Sequence, residues 1–169
     1  MLDAIDRQIL TVLQENARTP HAELARRIGM AASAVVERVR KLEERGVIRG
    51  YALDLDPRAV DLGLLAFVFV RTTDRGSPET AERLAHVPGV LEVHDVAGED
   101  CYLVKVRAAS PEDLYERLRD TFNEVPSVLS TRTTIVLKTL KTTTVLPMPD
   151  DGVAPSRDGN REGTDGRRG

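Results

Sequence analysis

The sequence predicts an α+β protein of two domains. A winged helix-turn-helix is expected over residues 1–50 and a ferredoxin-like βαββαβ domain over residues 63–146. A linker strand and hinge over 51–62 joins them, and a disordered tail over 147–169 follows. Three observations predict this. Apolar side chains recur at helical spacing as far as Leu42, in segments broken at Gly29 and Gly46. From Leu64 the pattern changes to strands alternating with helices, and it repeats: Ser-Pro-Glu at 77–79 returns 33 residues later at 110–112, and Val-Pro-x-Val at 87–90 returns 38 residues later at 125–128. Beyond Pro147 the chain is rich in Gly, Pro, Asp and Arg, which cannot bury enough apolar surface to offset ordering entropy.

In the head, Asp3 caps a first helix running to about Asn16, with Ile5, Ile9, Val12 and Leu13 on its apolar stripe. Thr19 is expected to accept a first-turn amide of the second helix, with Pro20 at the first helical position. Leu24, Ala25 and Ile28 turn inward, and Gly29 ends that helix. The third covers residues 32–45; Val35, Val39 and Leu42 face the core, while Ser33, Glu37, Arg38, Arg40, Lys41 and Glu44 occupy the remaining surface. Gly46 caps it, and Val47 and Ile48 begin a strand. Residues 49–55 alternate apolar and polar and read as a linker strand that ends at Asp56-Pro57.

In the body, strands are expected over 64–71, 90–97, 101–108 and 128–138, with helices from each Ser-Pro-Glu to about His86 and about Asn123. Two tandem strand–helix–strand units give an antiparallel sheet with both helices on one face. The first strand is apolar on both sides: Leu65, Phe67 and Phe69 on one, Leu64, Ala66, Val68 and Val70 on the other. A strand apolar on both faces needs cover on both, so the open face is expected to meet a second copy of the chain, the alternative being cover by the head, which the short linker disfavours.

Composition narrows the function. Of 169 residues, 41% are hydrophobic and 30% charged, as in a soluble globular protein. No apolar run reaches the roughly 18 residues of a membrane helix, and the acidic, amphipathic start lacks a secretory signal. A single cysteine, Cys101, excludes an intrachain disulfide and fits a cytoplasmic location. The net charge of −3 is unevenly spread: residues 18–49 hold eight basic side chains against four acidic ones. A basic head on an acidic body suits a protein that orients on double-stranded DNA.

Two short helices joined by a glycine-containing turn are the pattern that sets a second helix in the major groove. Small or polar side chains near that helix's start approach base edges, and cations further along reach phosphates. Ser33 and Ala34 suit the first role and Arg38, Arg40 and Lys41 the second, and Glu37 is a further candidate on the DNA-facing surface. A helical hairpin with a solvated charged face has the same pattern.

Three stretches together add to this: LDAIDRQILTVLQENAR, ELARRIGM and VRKLEERGVIRGYALDLDP. The chain resembles the Lrp/AsnC, or feast/famine, family of transcriptional regulators over roughly residues 2–147. The resemblance implies a cytoplasmic regulator whose C-terminal domain dimerises and assembles further, for example to an octamer; the strand pattern offers Leu65, Phe67 and Phe69 for the mating face, and no cofactor or metal is expected. It implies an amino acid or similar effector at a glycine–acid loop between the second and third strands, here Gly98, Glu99, Asp100 and Tyr102. Two positions depart from the family's pattern. Asp-x-Asp after the glycine is here Glu99-Asp100-Cys101, and the Ser or Thr that opens the recognition helix is here Ala31.

Rival chemistry is thin. His94, Asp95, Glu99, Asp100 and Cys101 are metal-binding types, but strand alternation sends His94 and Asp95 to opposite faces. His21 and His86 stand alone near helix ends. No catalytic triad order, phosphate loop or nucleotide fingerprint occurs. The alternative is a ferredoxin-like small-molecule-binding or enzymatic domain whose helical head only binds protein.

Overall fold

The computed structural model describes residues 2–148. Three helices build the head. In α1 (Ala4–Glu15) the Asp3 carboxylate accepts the Asp6 N–H at 2.7 Å, as the sequence predicts. Thr19 does not cap α2 (His21–Ile28). Its hydroxyl donates to the Asn16 carbonyl at 2.7 Å, closing the turn after α1. Pro20 therefore stands at the cap itself, where its carbonyl accepts the Leu24 N–H at 2.9 Å. In α3 (Ala32–Glu44) no side chain caps the N-terminus, and the Ala31 carbonyl accepts from Ala34 and Val35 at 3.1 and 3.2 Å. The buried stripes Ile9, Leu10 and Leu13, Leu24 and Ala25, and Val35, Val39 and Leu42 form one core.

The expected strand after α3 is absent. Val47 and Ile48 both donate to the Leu42 carbonyl, at 2.9 and 3.1 Å, and so close the helix. Residues 49–55 run without a ladder. Alternation makes a segment fit for a sheet, but a ladder needs a neighbouring strand, and the chain offers none there.

The body begins with a 3-10 turn, Pro57–Val60, started by the Asp56 carboxylate. Then come β1 (Leu64–Thr72), α4 (Pro78–Ala85), β2 (Val90–Asp95), β3 (Tyr102–Ala108), α5 (Pro111–Glu124) and β4 (Val128–Ile135). The sheet is antiparallel in the order β2-β3-β1-β4, the ferredoxin-like arrangement. The repeat seen in the sequence becomes repeated hydrogen bonding. Ser77 and Ser110 each cap a helix by accepting the amide three residues on, from Thr80 and Asp113. Each Val-Pro-x-Val closes a turn in which the last valine donates to the first, Val90 to Val87 and Val128 to Val125. Gly89 sits in the first of these turns at φ +86°, where an added Cβ would lie 2.2 Å from the Arg107 carbonyl oxygen. Only glycine allows that approach.

The helices cover one face of the sheet, where Ala66, Val68, Val70, Tyr102, Val104 and Val106 pack with Leu84 and Leu114. Leu65, Phe67 and Phe69 lie on the opposite face beside Arg107, Lys105 and Leu103 of β3, half-buried within this chain. Strands β2 and β4 stop at Asp95 and Ile135, short of the expected 97 and 138, and β3 starts one residue late.

The chain divides into two compact units, one holding the residues through Ala52 and again those from Thr143, the other Leu53–Thr142. Residues 143–146 are grouped by their contacts with the first unit. The Leu146 amide donates to Gln14 Oε1 at 2.6 Å and its carbonyl accepts from Gln14 Nε2 at 3.1 Å. Met148 packs against the head core. The tail read as disordered lies, beyond Met148, outside the described residues.

Candidate nucleic-acid interface and effector site

Helix α3 presents two kinds of surface. Val35, Val39 and Leu42 are at most 3% exposed and fix the helix to α1 and α2. Directly opposite, Ser33, Glu37, Arg40, Lys41 and Glu44 form an outward row, all exposed. Glu37 gathers the cations of that row: it accepts from Arg40 at 2.7 and 2.9 Å and lies 3.4 Å from Lys41. Arg40 also pairs with Glu44 one turn further. The Arg40 guanidinium, aided by Lys41, holds the Glu37 carboxyl down to about 2. These pairs are exposed and local, so they are weak and can be exchanged for phosphate.

Ala34 and Arg38 lie on the flank of α3 that turns toward the start of α1. Arg38 Nη1 is 2.7 Å from Asp3 Oδ2 and 2.7 Å from Asp6 Oδ1. Both hydrogen bonds raise the Arg38 guanidinium above its ordinary value. Asp3 is lowered, first by the Asp6 amide it caps and then by Arg38. A pair 35 and 32 residues distant in sequence is not visible from helical spacing. Asp6 carried one signal: it is an acid set among the apolar residues Ile5, Ile9 and Leu10.

In the body, the loop between β2 and β3 is held by two arginines that the sequence reading did not single out. Arg75 donates to the carbonyls of Gly98 and Asp100. Arg132, on β4, pairs with the Asp100 carboxylate at 3.0 Å, and its guanidinium lies 4.1 Å from the centre of the Phe69 ring. Gly98 has φ +136° and open space where a Cβ would project. Glu99 is exposed. Acids and arginines alternate around the loop, which suits a zwitterion: carboxylates for an ammonium, guanidinium groups for a carboxylate.

Tyr102 stands apart from these groups. It is 1% exposed in the core, its hydroxyl donating to the Ser77 carbonyl at 3.0 Å, and burial raises its pKa. Cys101 is also buried, its sulfur accepting the Thr72 amide at 3.4 Å; Thr72, first through its side chain and then through this amide, lowers the thiol pKa. His94 sits beside Glu92 at 3.1 Å. Among the described residues, no three His, Cys, Asp or Glu side chains are grouped to hold a metal, and no helix is long and apolar enough to cross a membrane.

Comparison with known proteins agrees with both parts of this picture. Residues 2–43 match the AsnC-type helix-turn-helix domain, and residues 65–146 match the Lrp/AsnC ligand binding domain. The HTH-type transcriptional regulator FL11 of Pyrococcus horikoshii is 39% identical over 147 residues, 87% of this chain and 97% of its own. A Neisseria meningitidis transcriptional regulator solved as an L-methionine complex shares 34% identity at a TM-score of 0.79, covering 87% of this chain and 97% of that one. A feast or famine regulatory protein from M. tuberculosis, complexed with L-methionine, shares 38% identity at 0.79, over 86% and 99%. The basic helical head and the ferredoxin-like body are thus two parts of one known design, and the chain belongs to the Lrp/AsnC family of DNA-binding transcriptional regulators.

Proposed function

We propose that the outward row of α3, Ser33, Glu37, Arg40 and Lys41, with Ala34 at its edge, enters the major groove of double-stranded DNA. Ser33 and Ala34, near the helix start, are small enough to approach base edges, and Arg40 and Lys41 exchange Glu37 for phosphate. The open sheet face pairs two copies through Leu65, Phe67 and Phe69, and dimers assemble further, to an octamer for example. An amino acid binds at Gly98, Glu99 and Asp100, between subunits, with Tyr102 bracing the strand behind them. Its binding shifts assembly or head geometry. The protein works in the cytoplasm and catalyses no reaction.

The observation that carries this reading is the division of α3 into a buried stripe and an exposed row whose charges, among the described residues, pair with one another. Such pairs leave cations at hand for a stronger anion. Fluorescence anisotropy with promoter duplex, titrated across salt, tests it: affinity should fall linearly on a double logarithmic plot. A flat plot would remove the DNA-binding reading of the row. A thermal-shift screen of the twenty amino acids tests the effector, since a ligand raises stability by mass action. Gly98→Leu should abolish the shift and leave bare DNA affinity near that of the parent.

A further inference from the structure

We propose that Arg38 serves DNA binding as a positioning residue: it fastens α3 to the start of α1 through Asp3 and Asp6, and so sets the angle at which the outward row meets the duplex. The inference rests on the reading of α3 given above and assigns one of its cations a different task.

The geometry separates Arg38 from Arg40 and Lys41. Its side chain is 32% exposed, against 50% and 60% for the other two. Its partners lie on another helix, whereas theirs are one turn away on α3. Asp6 is 7% exposed as a residue, so a phosphate that drew Arg38 away would leave a largely buried carboxylate without its cation. Removing one partner of such a pair is costly, whereas separating exposed neighbours costs little.

Asp3 ties the arrangement to the backbone. One carboxylate oxygen accepts the Asp6 amide and caps α1; the other takes Arg38. The orientation of α3 is thereby referred to the first turn of α1. Elsewhere the two helices share an apolar core that includes Ile9 and Leu13 of α1 and Val35, Val39 and Leu42 of α3. Apolar packing is non-directional and leaves small rotations inexpensive. Two charge-assisted hydrogen bonds from a single nitrogen are directional and remove that freedom.

The prediction is distinctive because it concerns two acids. By charge alone, Asp6→Asn and Asp3→Asn make the head more positive and should tighten DNA binding. A positioning role predicts the opposite. Anisotropy titrations against one duplex at several salt concentrations should show Asp6→Asn and Arg38→Gln each weakening binding about tenfold, the size of a coupled-pair effect, with the parent's salt slope. The double variant should be no weaker than either single one. Asp3→Asn keeps a capping oxygen and should weaken binding in the same way by a smaller factor, so the test stands even if Asp6→Asn melts the head. A slope lower by about one in Arg38→Gln, together with acid variants that bind as tightly as the parent or tighter, makes Arg38 a phosphate ligand and overturns this inference alone. A parent protein indifferent to duplex overturns the reading of the α3 row as well.

Discussion

The α3 row and the β2–β3 loop use the same chemistry, arginine against carboxylate, over very different sequence distances. On α3, Arg40 and Lys41 pair with Glu37 and Glu44 three or four residues away. In the body, Arg132 reaches Asp100 across 32 residues and Arg75 reaches the Gly98 carbonyl across 23. Local pairs on an exposed helix face add little to stability and constrain nothing but two side chains. Pairs between separate elements shape a loop. The first kind leaves cations exchangeable, in keeping with the proposed DNA surface; the second holds backbone carbonyls and carboxylates in fixed places, in keeping with the proposed small-molecule site. Arg38, reaching from α3 to the start of α1, is a cation of the head that behaves as those of the body do.

Four changes would break or sharpen this contrast. The largest effect is expected from Phe67→Asp, which sets a carboxylate on the proposed mating face. Light scattering should then show monomers, since burying such a charge costs more than about 3 kcal/mol; intact dimers would move the interface elsewhere. Next, Arg40→Ala and Lys41→Ala should each weaken DNA binding several-fold and lower the salt slope by about one. Equal slopes in parent and variants would make the outward cations ordinary solvated charges. Third, Arg132→Ala should shrink the effector-induced thermal shift to less than half while changing the stability of the free protein by less than about 1 kcal/mol, because the pair is exposed. A full shift would show that the loop keeps its shape unaided.

The smallest effect concerns pH. Arg40 holds the folded-state pKa of Glu37 near 2, below the ordinary carboxylate value. A depressed carboxylate contributes stability that is complete above its unfolded value of about 4.3 and is lost as pH falls toward the folded value. Melting of the head followed by circular dichroism should therefore decline slightly between about pH 4.3 and 2, and Glu37→Gln should flatten that decline. A decline of unchanged size in Glu37→Gln would assign it to other carboxylates.

Much of the fold was legible because its signals are local. Ile9 and Leu13, Val35, Val39 and Leu42 mark buried stripes by spacing alone, and each Ser-Pro-Glu gives a cap and a first turn. Parity even fixes Tyr102: Val104 and Val106 share its side of β3 and lie in the core with it. What stayed hidden depends on distant partners. Residues 49–55 have the alternation of a strand, but no spacing rule says whether another strand will lie beside them. Arg38 looks like Arg40 in sequence, and only the return of α1 to its side distinguishes the two. Arg75 and Arg132 gain their roles from loop placement. Gln14 gives no sign that it will meet the backbone of Leu146, 132 residues later.

That last contact bears on how the head can be prepared in isolation. A fragment ending near residue 50 would omit the returning stretch and strip α1 of the backbone that Gln14 holds and of the Met148 side chain beside it. Such a fragment would lose the cover that Met148 gives the head core in the intact chain. Its melting behaviour would therefore describe a damaged object, and a peptide spanning 143–148, added back, is the natural repair.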